Sequence, residues 1–151
     1  GEADWECIAK PREAVSIPVI GNGDATDHQR VKQMFLQTRC AAVMIGRSAI
    51  QNPWIFSQSK QFLQTGEEPE QPSLEERIRV LKKHYQYSAE YKGEQKGVLE
   101  MRKFLNGYLR GLPHIAKFRI ELMKYKTLEP IFERLDQLKE ATVFKDLLIA
   151  S

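Results

Sequence analysis

Two short apolar runs, each closed by a glycine turn, limit what this chain can fold into. Ile17-Pro18-Val19-Ile20 runs into Gly21-Asn22-Gly23-Asp24, and Ala41-Ala42-Val43-Met44-Ile45 runs into Gly46-Arg47. A brief aliphatic run bounded by glycine is the pattern of a buried strand in a parallel sheet. Between the runs, Thr26 and Gln29 stand at capping-box spacing with Asp27 as a rival cap, and Val31, Met34 and Phe35 follow at helical spacing. A short helix is expected over residues 48–56, interrupted near Pro53. Residues 3–56 therefore read βα, βα, which is the grammar of parallel α/β folds.

The grammar then changes. Residues 65–72 hold two prolines, a glycine and three acids, and mark a boundary. Ser73 and Glu76 form a capping box opening a helix to about residue 91, with Leu74, Ile78, Leu81 and Tyr85 on one stripe. A second helix is expected to carry Val98, Met101, Leu105, Tyr108, Leu109 and Leu112. A third carries Ile115, Phe118, Leu122 and Tyr125, and a fourth Ile131, Leu135 and Leu138. Short connections favour an antiparallel helical bundle. The expected fold class is α/β plus all-α, divided as residues 1–64, a linker over 65–72, and residues 73–151.

With 151 residues, 42% of them hydrophobic, the chain suits one domain or two small ones. No apolar run approaches the roughly 20 residues of a membrane span, so no membrane partner is expected. No basic, apolar, small-residue signal pattern opens the chain, and because it opens on Gly1 rather than Met a native start is not expected. Cys7 and Cys40 make no CxxC pair, and with His28, His84 and His114 they show no metal-ligand spacing. Free thiols in a reducing, cytoplasmic setting are expected, with no metal site. The two remaining histidines of the helical part, His84 and His114, are given at most a hydrogen bond.

Ligands of parallel α/β folds bind where strands end. Glycines at 21 and 23 let the backbone bend and approach a ligand closely. Asn22 and Asp24 offer hydrogen bonds. Gly46 exposes backbone N–H groups before a helix start, and Arg47 adds a planar, permanent charge suited to phosphate. Together these read as one phosphate cradle, and plain tight turns with a surface arginine are the competing reading. Phosphate sites of (β/α)8 barrels often come from the loops after strands 7 and 8. A whole barrel needs roughly 200 residues or more, and two strands leave sheet edges open. Either these are the last two units of a longer protein, or a partner covers the edges.

These segments resemble those of the tRNA-dihydrouridine synthase family. The resemblance is carried by Ile17 to Asp24, by the run from Val43 through Gly46-Arg47 to Asn52-Pro53-Trp54-Ile55-Phe56, and by the lead-in Ala3-Asp4-Trp5. In the helical part Met101-Arg102-Lys103 and Phe118-Arg119 resemble the family's pattern more loosely, with Phe104 where the family commonly has His. The resemblance implies the C-terminal part of a (β/α)8 TIM barrel followed by a helical tRNA-binding domain. It implies FMN held at its phosphate region by Asn22, Gly23, Asp24, Gly46 and Arg47. It also implies NADPH as reductant and reduction of a uridine C5–C6 double bond in tRNA. The family's catalytic cysteine lies upstream of the matched segments. Neither Cys7 nor Cys40 matches its motif, so no catalytic residue is expected in this chain and no activity from it alone. The missing N-terminal half of the barrel, or self-association, is expected to cover the open sheet edges.

Charge is distributed unevenly. Between residues 92 and 126 nine basic side chains face three acidic ones, a net +6 against +3 for the whole chain. Residues 127–151 carry −2. A basic stretch of this kind can hold RNA phosphates through charge and counterion release, though a lone charge run is usually a solvated face. Arg102, Lys103, Arg110, Lys117 and Arg119 are the RNA-binding candidates. Tyr85, Tyr108 and Tyr125 lie on apolar stripes and read as core, and Trp54 reads as packing. Two other functions stay open: a non-catalytic tRNA-binding module that self-associates, and another α/β enzyme with a phosphate-bearing ligand.

Overall fold

The structure, a computed structural model, describes residues 2–112 and 115–149, with side chains through residue 141. His114 lies outside the described residues. The chain divides into two compact units, Gly1–Gln71 and Pro72–Ser151.

The first unit holds α1 (Glu6–Ala14), β1 (Ile20–Asn22), α2 (His28–Thr38), β2 (Ala42–Met44), α3 (Arg47–Gln51) and α4 (Ile55–Thr65). The strands pair in parallel, with Ile20 opposite Ala42, Gly21 opposite Val43 and Asn22 opposite Met44. Asp27, not Thr26, caps α2: its carboxylate accepts from the Arg30 N–H at 2.8 Å while the Thr26 hydroxyl donates to Asp27. A carboxylate also suits the positive end of the helix better than a hydroxyl. Val31 and Met34 of α2 pack with Ala25 and Cys40, and Trp5, Ile8, Phe35, Val43 and Ile45 close around them.

The expected first strand is displaced. Regular pairing begins at Ile20 rather than Ile17, although the Val19 carbonyl still accepts from the Ala41 N–H at 2.8 Å. Pro18 has no N–H to give a ladder, and Ile17 stays 68% exposed. Nor is the sheet covered on both faces. Gly21 and Val43 turn toward α2, while Ile20, Asn22, Ala42 and Met44 are exposed on the other face. Gly21 also has a different reason from the one its turn position suggests. A Cβ there would stand 2.8 Å from the Met34 sulfur and 3.1 Å from the Cys40 sulfur, so glycine lets α2 approach the strand. No closed barrel is present among the described residues.

The second unit is helical: α5 (Leu74–Lys92), α6 (Glu94–Met101), α7 (Leu105–Leu109), α8 (Ile115–Leu122) and α9 (Leu128–Ile149). Ser73 caps α5 as its sequence context predicts, its hydroxyl accepting from the Glu76 N–H at 3.2 Å. Ile78, Leu81 and Tyr85 bury one face of α5, which packs on α6, α7 and α9. The single helix expected through residues 98–112 is two. Arg102, Phe104 and Gly107 donate to carbonyls only three residues back, at Leu99, Met101 and Phe104, a tightening that turns the chain between α6 and α7. Tyr85 and Tyr108 are buried core residues, and Tyr125 is half-buried with its hydroxyl 3.4 Å from Glu121.

Burial here has a pH signature. His84 Nδ1 lies 3.0 Å from the Tyr108 hydroxyl, and burial pushes the imidazole below its ordinary value of 6.5. Burial pushes the phenols of Tyr85 and Tyr108 up to about 12, against a counter-pull from Arg102 at Tyr85. Below pH 6.5 the unfolded chain protonates at His84 before the folded one does, so stability falls as pH drops toward the lower folded value. Above pH 10 the unfolded tyrosines ionise first, so stability falls again toward pH 12. Denaturant midpoints measured across this range should trace both arms, and His84→Gln should flatten the acid one.

Candidate functional site

Parallel pairing brings the C-terminal ends of β1 and β2 to the same edge of the sheet. The turns that follow them line one cavity of about 700 Å³. Asn22, Gly23 and Asp24 come to it from the first turn, and Gly46, Arg47 and Ser48 from the second. All five residues picked from the sequence as cofactor-binding therefore share one lining. Arg47 Nη2 stands 3.6 Å from Asp24 Oδ1, with the arginine side chain 93% exposed and the aspartate 22% exposed.

The two glycines act differently. Gly46 adopts φ −104° and ψ −98°, and a Cβ built on it meets nothing within 4 Å. Its smallness leaves the cavity wall open to an approaching group. Gly23 has φ +140°, a conformation side chains rarely adopt, and a Cβ there would lie 2.6 Å from the Ala3 Cβ. Asp24 follows with φ +50°, also left-handed. The helix after the second turn, α3, has only five residues. Its dipole is correspondingly small, so Arg47 carries the positive character of this site.

Two contacts hold the first turn from outside, and a third holds Trp5 itself. The Trp5 indole N–H donates to the Gly23 carbonyl at 3.1 Å, and the Ala3 backbone N–H donates to Asp24 Oδ2 at 2.5 Å. The Arg30 guanidinium lies 4.6 Å above the Trp5 ring. Sequence reasoning assigned no site role to Ala3 or Trp5. Their only sequence signal is the Ala3-Asp4-Trp5 lead-in, because contacts across 18 and 21 residues have no local pattern. Neither cysteine lines the cavity. Cys40 is buried under α2, and the exposed Cys7 thiol points at Asp4, 3.6 Å away.

The RNA-binding candidates of the second unit fall into two groups. Lys103, Arg110 and Lys117 are exposed. Arg102 and Arg119 are half-buried, each with an Nε that is buried and without a hydrogen-bond partner. The Arg119 guanidinium donates to the Asn106 side chain. Lys92 pairs with Glu100, whose carboxyl that lysine holds below the usual range. Lys96, Lys124 and Lys126 are exposed beside the first group in sequence.

Comparison with known proteins bears on both units. Residues 1–145 match the family described as "Dihydrouridine synthase (Dus)". A "Probable tRNA-dihydrouridine synthase" of Rickettsia bellii is 44% identical over 119 residues, 79% of this chain and 36% of that protein. The similarly named protein of Mycobacterium leprae is 34% identical over 150 residues, 99% of this chain and 39% of that protein. "tRNA-dihydrouridine synthase B" of Pseudomonas aeruginosa is 38% identical over 121 residues, 80% of this chain and 36% of its own length. The chain thus spans little more than a third of the length of these relatives. No helix among the described residues is long and apolar enough to cross a membrane. With a match running through both units, the chain belongs to the dihydrouridine synthase family.

Proposed function

We propose that this chain is the C-terminal part of an FMN-dependent tRNA-dihydrouridine synthase, a cytoplasmic enzyme using NADPH. In this reading residues 1–64 hold the phosphate end of the flavin, residues 65–72 link, and residues 73–151 bind tRNA. The observation that carries the reading is the shared cavity of the two strand-end turns.

The residues suit a flavin phosphate. The wall beside Gly46 is open, Arg47 can bring a charge-assisted, two-pronged hydrogen bond to an anion, and Asn22 can direct its amide to a neighbouring polar group. The uncovered sheet face is also suited to the inside of a barrel. Ile20 is 63% and Met44 53% exposed, and in a barrel such residues fill the interior in layers supplied by the other strands. Asn22, Gly23, Asp24, Gly46 and Arg47 would hold FMN at its phosphate region, and the flavin, with NADPH as reductant, would supply the hydride chemistry of uridine reduction. This chain's part is to anchor and orient the cofactor and to position the RNA, since the redox chemistry belongs to the flavin. Neither Cys7 nor Cys40 is given the proton-donor role, and we assign no catalytic residue to these 151 residues.

Titration of the full chain with FMN and with riboflavin, which lacks the phosphate, tests the site. FMN should bind weakly but better than riboflavin. Arg47→Gln should lower FMN binding roughly tenfold, the effect of losing a hydrogen bond to a charged group, and leave riboflavin unaffected. Equal affinity for the two flavins would defeat the phosphate assignment. A chain purified yellow, with one tightly held FMN, would defeat the proposal that it is part of a larger site.

A further inference from the structure

We infer that residues 3–5 form a strap that sets the shape of the Gly23-Asp24 turn, making Trp5 and Asp24 positioning residues of the phosphate site rather than its ligands. The inference rests on the phosphate reading above for its function but on separate contacts for its geometry.

The turn has an uncommon backbone shape. Two consecutive residues have positive φ, +140° at Gly23 and +50° at Asp24. The left-handed region costs a non-glycine residue free energy, less for aspartate than for most, and contacts from outside the turn offset that cost. Both residues are fastened by the strap: Gly23 through its carbonyl to the Trp5 indole, and Asp24 through Oδ2 to the Ala3 N–H. The Ala3 methyl occupies the space that a side chain at position 23 would need, so strap and turn fit only with glycine there. Trp5 is itself held under Arg30, on the helix that packs against the sheet.

Charge decides the role of Asp24. A carboxylate in contact with a phosphate repels it, and the two need a cation between them. Asp24 has Oδ2 taken by the strap and Oδ1 directed to Arg47 at 3.6 Å. It therefore joins the strap to the one permanent cation of the cavity lining, and aims that cation. The phosphate would meet Arg47 and open backbone, with both Asp24 oxygens engaged by Ala3 and Arg47.

The test is ¹⁵N-labelled full chain, titrated with FMN and riboflavin and followed by NMR. Trp5→Phe keeps an aromatic ring beneath Arg30 and removes the N–H donor together with part of the indole's packing area. It should shift the amides of Gly23, Asp24, Gly46 and Arg47. It should also weaken FMN binding roughly five- to tenfold, as loss of one hydrogen bond predicts, without changing riboflavin binding. Asp24→Asn keeps an oxygen for the Ala3 N–H and should cost far less FMN affinity than Asp24→Ala. Unmoved turn amides in Trp5→Phe would overturn the strap, as would FMN affinity equal to wild type. Equal losses in Asp24→Asn and Asp24→Ala would overturn the positioning role of Asp24. If the wild-type chain shows no preference for FMN over riboflavin, the phosphate reading fails by itself, and the amide shifts still decide whether the strap sets the turn. Should Trp5→Phe not fold, the two Asp24 variants decide the matter by the same amides.

Discussion

Gly97→Ala should destabilise the helical unit by about 2 kcal/mol, an overpacking cost, lowering its melting midpoint by roughly 10 °C. The expected sign opposes local propensity. In an exposed helix interior the same change gains roughly 1 kcal/mol, because alanine restricts the unfolded chain and glycine does not. Here α6 crosses α5 so closely that a Cβ on Gly97 would lie 2.6 Å from the backbone of Ser88 and Ala89. Backbone cannot rotate aside as a side chain can, so the helices must separate. Separation also breaks the bond from the Ser88 hydroxyl to the Gly97 carbonyl, 3.1 Å long. It loosens Val98 and Met101, which are buried on the same helix. Thermal and denaturant unfolding of the full chain measure this directly. A variant as stable as wild type, or more so, would mean that α5 and α6 do not meet this closely.

If the second unit binds tRNA as proposed, that binding should be lost steeply with salt. Six cations between residues 96 and 126 are exposed: Lys96, Lys103, Arg110, Lys117, Lys124 and Lys126. If each neutralises one phosphate, the slope of log K against log salt is roughly −4 to −5, so that raising salt from about 50 to 200 mM weakens binding roughly 300- to 1,000-fold. Replacing Lys103, Arg110 and Lys117 together by alanine should reduce that slope by about 2 to 3 and leave the fold intact, since all three side chains lie on the surface. Arg102 and Arg119 should behave differently. They are half-buried, and Arg119 already holds Asn106. Their replacement should lower the unfolding midpoint as well as RNA affinity. A triple variant with an unchanged slope would move the RNA site off this stretch.

What could be read beforehand follows from where the information lies. The capping of α5 by Ser73 is a contact over three residues, so its pattern sits in the sequence beside the helix it starts. The parallel pair was visible because short aliphatic runs closed by glycine alternate with helical spacing in this half of the chain. The start of β1 was not, because Ile17 and Val19 look like strand while Pro18 lacks the hydrogen-bond donor that a ladder needs. The break between α6 and α7 was hidden for a related reason. An apolar stripe continues across three residues of tight turn, and periodicity records the buried face, not the hydrogen-bond pattern beneath it. The candidate site was legible in its chemistry and illegible in its support. Asn22, Gly23, Asp24, Gly46 and Arg47 announce themselves by type, whereas Trp5 and Ala3 act from 18 and 21 residues away. Among the arginines, nothing in the sequence separates the half-buried Arg102 and Arg119 from the exposed Arg110.

The gap beneath Met34 works as a register key. The sheet has only three rungs, too few to define its own alignment by hydrogen bonds alone. A slip of β1 by one residue would bring Ile20 or Asn22 under the methionine sulfur, where even a single carbon at Gly21 would stand at 2.8 Å. The slipped alignment is thereby shut out on the face that packs on α2. The distance between Asp24 and Arg47 is thus governed by a missing methyl group on the opposite face of the sheet.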